Sequence, residues 1–128
     1  MSDPARRIRI EWTDRARECL RSLPKKVAKG LVEKADKLYG CEDPRLVHKP
    51  LVGPLAGYYR ITYGRYRAIY RVVEDEIANG DVLVTITIQF IAAGKREERS
   101  KHDVYELACK IVEMGIVDSR DDHEQHSS

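Results

Sequence analysis

Residues 45–71 carry Arg45, Lys49, Arg60, Arg65, Arg67 and Arg71 without one acidic side chain, and they hold five of the seven tyrosines. The spacing of the last three arginines gives them a common direction. Read as a strand over 65–73, the odd positions are Arg65, Arg67, Ile69, Arg71 and Val73, and the even ones are Tyr66, Ala68, Tyr70 and Val72. Strand side chains alternate between faces, so the three arginines share one face and Tyr66 and Tyr70 turn to the core. Three guanidinium groups side by side repel one another unless an anion lies across them. A guanidinium fork engages two phosphate oxygens where an ammonium offers one point of charge. The pattern predicts a surface built to meet a phosphate backbone, with RNA as the expected polymer.

The elements on either side extend this polarity. Over 58–63, Arg60 and Thr62 alternate with Tyr59, Ile61 and Tyr63; over 82–92, Thr85, Thr87 and Gln89 alternate with Val84, Ile86, Ile88 and Phe90. Gly64 joins the first two strands and the turn-prone stretch through Asn79-Gly80 leads to the third, which predicts three consecutive antiparallel strands. Upstream, Ile8, Ile10 and Trp12 mark a half-buried strand over 6–12, expected at a sheet edge or beside a non-consecutive neighbour. Thr13 caps a helix that buries Ala16, Cys19, Leu20 and Leu23. Pro24 opens a second, whose stripe is Val27, Leu31, Ala35 and Leu38 and which Gly40 ends. Lys25, Lys26, Lys29, Lys34 and Lys37 fall mostly on its solvated side.

Residues 41–57 show neither period and read as a long connection, in which His48 and Lys49 are secondary candidates for chemistry. A basic loop over 94–101 leads to a last helix, opened by a capping box of Asp103 and Glu106 and closed by Gly115. The predicted architecture is a small single-domain α+β fold of order β-α-α-β-β-β-α, with helices packed on one face of the sheet and the polar face left open.

The net charge of +2 conceals an uneven distribution. The tail from 118 to 128 carries −3, which leaves +5 on residues 1–117. We expect 1–117 to form the domain and 118–128, with His123 and His126, to be an acidic, disordered tail. The sequence contains no apolar run of the roughly 20 residues needed to cross a bilayer, and its start lacks a secretory leader, so a cytoplasmic location is expected. Cys19, Cys41 and Cys109 are odd in number and form no CxxC pair, which predicts reduced thiols and no metal site. No cofactor is expected.

The run KPLVGPLAGYYRITYGRYRAIYRV, followed by a strand and then GKREERSKHDVY at the start of the last helix, resembles the RelE/ParE superfamily of bacterial type II toxin-antitoxin toxins. The likeness covers nearly the whole chain in element order and is closest from Lys49 to Tyr105. It implies a curved antiparallel sheet and, for the RelE branch, cleavage of messenger RNA in the ribosomal A site. Residue by residue it implies functional roles for Arg67, Arg96 and Tyr105. Arg60 matches one of two basic residues on the preceding strand, and Thr62 stands where the second, usually lysine, is expected.

The implied reaction has the 2'-hydroxyl attack its own adjacent phosphate, leaving a 2',3'-cyclic phosphate and a 5'-hydroxyl without a metal. It needs a base, an acid and positive charge around the equatorial oxygens. Arg67 and Arg96 suit the charge role, since a guanidinium keeps its proton. Tyr105 either exchanges a proton under the influence of nearby arginines or stacks on a base. His102, three residues before Tyr105, is the candidate to replace the missing lysine, because imidazoles titrate near pH 6.5. Lys49, Arg60, Thr62, Arg65, Arg71, Lys95, Arg99 and Lys101 are the expected RNA contacts.

Three activities fit this reading. The first is an mRNA interferase held off by a cognate antitoxin. The second is a ParE-like inhibitor that binds DNA gyrase and performs no chemistry, against which the set Arg67, Arg96 and Tyr105 argues. The third, which Thr62 suggests, is an inactive relative that only binds RNA or antitoxin.

Overall fold

Alternation sends Ile8, Ile10 and Trp12 to one side of β1 (Ala5–Trp12), and the Trp12 ring stacks on Phe90 with centroids 4.1 Å apart. The computed structural model describes residues 5–41, 43–79 and 81–115. Gly80 and the acidic tail with its two histidines lie outside the described residues. Thr13 caps α1 (Asp14–Ser22) by accepting from the Ala16 amide at 3.2 Å. Pro24 precedes α2 (Lys25–Asp36), which tightens into a 3-10 turn over Lys37–Gly40.

The stretch read as a plain connection contains one helical turn, α3 (Pro44–Val47), capped by Asp43, and a 3-10 turn at Gly53–Leu55. Single turns are too short to show a hydrophobic period, so the pattern is silent there. Then come β2 (Tyr58–Tyr63), β3 (Tyr66–Asn79), β4 (Asp81–Lys95) and α4 (Val104–Glu113). Among the described residues no helix is long and apolar enough to cross a membrane.

The α+β class and the element order are as the sequence predicts, while the sheet differs in two respects. Its order is β1-β4-β3-β2, and β1 runs parallel to β4, so the sheet is mixed. Two helices intervene between β1 and the meander, which gives the chain the crossover a parallel neighbour requires. Secondly, helices cover both faces. Ala16 of α1 and Val27, Leu31 and Ala35 of α2 pack with Ala68, Tyr70, Ile88 and Phe90. Val104, Ala108 and Ile111 of α4 pack on the other face with Ile69, Ile91 and Ala92. Ile69, the apolar residue among the arginines of β3, is the contact that draws α4 onto the face expected to be open.

The rest of that face is not a display of polar groups either. Thr85, Thr87 and Gln89, in the centre of the sheet, are buried. Register sets Gln89 between Glu11 of β1 and Arg71 of β3, and it bonds to both: Arg71 Nε donates to Oε1 at 2.8 Å, and Nε2 donates to Glu11 at 3.4 Å.

β3 and β4 also extend beyond their apolar alternation. The charged run from Glu74 reads as a turn, yet β3 stays paired to β4 as far as Asn79 opposite Asp81. β2 covers β3 only between Tyr66 and Arg71, so Glu74, Asp75 and Glu76 lie on an uncovered edge, where charge discourages pairing with a foreign strand. A β-bulge interrupts the ladder where Ile69 faces Ala92 and Tyr70 faces Phe90, leaving Ile91 as the extra residue.

α2 approaches β2 closely because of Gly30. A Cβ built there would lie 2.3 Å from the ring of Tyr63, so only glycine lets the helix rest against that ring. The β2–β3 turn is Gly64-Arg65. Gly64 has φ +59°, which a two-residue hairpin of type II' requires at its first position.

Candidate functional site

Three elements converge at one end of the sheet, on the face that carries α4. β2 contributes Arg60, whose Nη1 donates to the Tyr105 hydroxyl at 2.9 Å. The segment leaving β4 contributes Arg96, whose guanidinium lies over the Tyr105 ring at 4.6 Å. Tyr105 sits in the first turn of α4 and is thus held at its edge by one arginine and on its face by the other. Arg60 donates to the phenol oxygen, so this contact leaves the phenol hydrogen unused.

Asp103 organises this corner and is 2% exposed. Its carboxylate accepts from Arg96 Nη1 at 2.5 Å, from the Glu97 amide at 2.6 Å and from the Tyr105 amide at 3.2 Å. One side chain therefore caps α4, closes the loop and orients Arg96. The cap is one-sided, because the Asp103 amide donates to the Ser100 carbonyl at 3.1 Å and not to Glu106. The Arg96 amide donates to the Arg65 carbonyl at 2.7 Å, which ties the loop to the hairpin.

Arg67 joins the same face from β3, opposite Thr62 on one side and Gly94 on the other. Its Nη1 donates to the Gly64 and Tyr66 carbonyls at 2.9 and 3.0 Å, and its buried Nε has no hydrogen-bond partner among the described residues. Arg65 lies in the turn and not in the strand, so it does not belong to the row of arginines. Arg71 is engaged with Gln89 and belongs to the sheet's interior network. Lys95 pairs opposite Tyr66 and by alternation leaves from the other face. Arg99, at φ 62°, and Lys101 are exposed on the loop. His102 is exposed and precedes the helix, and among the described residues its side chain forms no hydrogen bond or ion pair; the helix does not start early enough to align it with Tyr105.

Beside this cluster, on the outer edge of β2, a cleft of about 800 Å³ opens between α2 and the 41–57 connection. Arg60 and Thr62 line it together with Lys34, His48 and Lys49. Lys34 and His48 are the residues that periodicity undervalues, the first as a solvated lysine and the second as a loop histidine. His48 Nδ1 lies 2.8 Å from the hydroxyl of the fully buried Tyr70. Burial, then the charges of Arg60 and Lys34, hold the His48 imidazole below its ordinary pKa, while burial raises the Tyr70 phenol and keeps it a donor.

A histidine whose folded pKa is depressed takes up protons more readily when unfolded, so stability is complete above about pH 6.5 and declines as pH falls toward the folded value. Urea unfolding between pH 7.5 and 5 is expected to show this acid loss, and His48→Gln to reduce it. An identical acid limb in the variant would assign the loss to other groups.

The fold matches known proteins. Residues 10–87 match the family model described as ParE toxin of type II toxin-antitoxin system, parDE, which spans more than half of the chain. The chain belongs to the RelE/ParE superfamily. It is similar to the toxin-antitoxin complex RelBE2 from Mycobacterium tuberculosis, with 26% identity, 75% of this chain and 95% of that chain covered, and a TM-score of 0.51. It is also similar to the isolated RelE toxin of E. coli, with 27% identity over 81% of this chain and 97% of that one and a TM-score of 0.45. No curated protein matches it significantly. As a RelE/ParE member it is a toxin of a type II toxin-antitoxin system. The family match ends before Arg96 and Tyr105.

Proposed function

We propose that this toxin is an endoribonuclease that cuts messenger RNA on the ribosome by 2'-hydroxyl attack, and that a cognate antitoxin restrains it. The observation that carries the reading is Tyr105 clamped between Arg60 and Arg96 on the face shared with Arg67. A phosphate set over Tyr105 meets guanidinium groups from separate elements, already fixed before a ligand arrives. Preorganised charge of this kind stabilises the dianionic transition state as the 2'-hydroxyl gives its proton to solvent, the 2'-oxygen bonds to phosphorus, the bond to the 5'-oxygen breaks and that oxygen takes up a proton. The phenol hydrogen, unused in the bond from Arg60, can be donated to a non-bridging or leaving oxygen. The antitoxin partner is supported by the RelBE2 likeness, since that structure is a toxin-antitoxin complex.

The test is cleavage of a message on programmed ribosomes in the presence of a chelator, with the new ends mapped. Wild-type protein should leave 2',3'-cyclic phosphate and 5'-hydroxyl ends, and Arg67→Ala and Tyr105→Phe should each lower the rate by about 100-fold or more. Absent cleavage, or cleavage indifferent to both changes, removes the reading. The ParE description of the matching family favours one second reading, a gyrase inhibitor, and a DNA supercoiling assay decides it.

A further inference from the structure

The reaction proposed above lacks one cation, because Thr62 stands where a lysine is expected. The fold brings another lysine, from the α2 side, to the main chain of that residue at the edge of β2. Lys34 Nζ donates to the Thr62 carbonyl and lies 5.9 Å from the centroid of the adjacent Tyr63 ring. Gly30 makes this possible, since Lys34 lies one helical turn further along the same face of α2, and the missing Cβ lets that face settle against Tyr63. The amine thus arrives at β2 from a different element.

Its surroundings specify an anion. Lys34, Lys37, Lys49, Arg60 and His48 line the cleft, and among the described residues no carboxylate does. Arg60 belongs both to this cleft and to the Tyr105 clamp, so the two sites form one continuous track across the edge of β2. Leu38, Leu51 and Ile61 give the cleft apolar walls suited to a sugar or base. Repeated phosphates along one strand fit a track of this kind.

We propose that Lys34 supplies, from α2, the phosphate-binding amine that position 62 lacks, and that the cleft it closes seats a phosphate of the substrate RNA next to the one at Tyr105. This rests on RNA being the ligand of the Tyr105 site.

A short fluorescent single-stranded RNA, titrated across a salt series, tests it. Removing one phosphate contact lowers the slope of log affinity against log salt by about 0.7. Lys34→Ala should show that loss and Lys34→Arg should not. Thr62→Lys placed in the Lys34→Ala background should restore the slope, a rescue that a merely structural lysine would not permit. An unchanged slope in Lys34→Ala overturns the proposal, as does a Lys34-dependent affinity for poly-glutamate with no effect on RNA, which would make the cleft a protein-docking surface. A Lys34-dependent slope in a protein that never cuts messages refutes the nuclease reading and leaves the site standing. Failure of wild-type protein to bind RNA overturns both.

Discussion

With Asp103 replaced by alanine, the domain is expected to lose about 2–4 kcal/mol of stability and melt roughly 10 °C lower. The carboxylate is buried at the start of α4 and satisfies the Glu97 and Tyr105 amides. Losing the cap costs about 1 kcal/mol, and an amide left without an acceptor costs a comparable or larger amount. Asp103→Asn keeps one acceptor and removes the charge. With its oxygen toward the Glu97 amide, its NH2 group confronts both the Nη1 of Arg96 and the Tyr105 amide, donor against donor, because one carboxylate oxygen serves both. Asparagine is therefore expected to lose part of the cap's stability, less than alanine does, and to impair cleavage. Thermal unfolding and single-turnover cleavage, measured together, check this. A variant with normal cleavage would show that Arg96 finds its position without Asp103.

Arg96→Ala should lower the cleavage rate on programmed ribosomes by about 100- to 1000-fold, the usual effect of removing one preorganised donor from a charge-stabilising site. RNA affinity should change far less, because Arg60, Arg67 and the neighbouring lysines persist. Arg96→Lys is expected to fall short of rescue. An ammonium keeps the charge but has no planar face to lie over Tyr105 and no fork to hold Asp103 and a phosphate together. Near-wild-type rates in Arg96→Ala would remove this residue from the chemistry.

Much of this corner is legible in the sequence because its parts are local. The spacing of Arg60, Arg67 and Tyr105 places each on a known face or helix turn, and the Asp103 cap is visible as a motif. What Asp103 does for Arg96 is not visible, since the 97–102 loop must close before the two meet. Arg65 and Arg71 show the limit of strand parity. Parity puts them in line with Arg67, but the turn claims one and Gln89 the other. Helix placement fails for a related reason: Ile69 is a single apolar residue in a polar row, and one residue does not disclose that α4 will cover it. Lys34 is invisible because its meaning depends on Gly30, whose small size matters only once Tyr63 lies beside it.

The unpaired Ile91 has a consequence for how the site tolerates change. Before it, Ile88 and Phe90 face α1 and α2; after it, Ala93 does, and Gly94 faces α4. One inserted residue thus reverses the parity of everything downstream, including the exit that carries Arg96 and the helix that carries Tyr105. A change in the length of β4 by a single residue is accordingly not a local event. It decides on which side of the sheet the arginines and the tyrosine meet, and whether they meet at all.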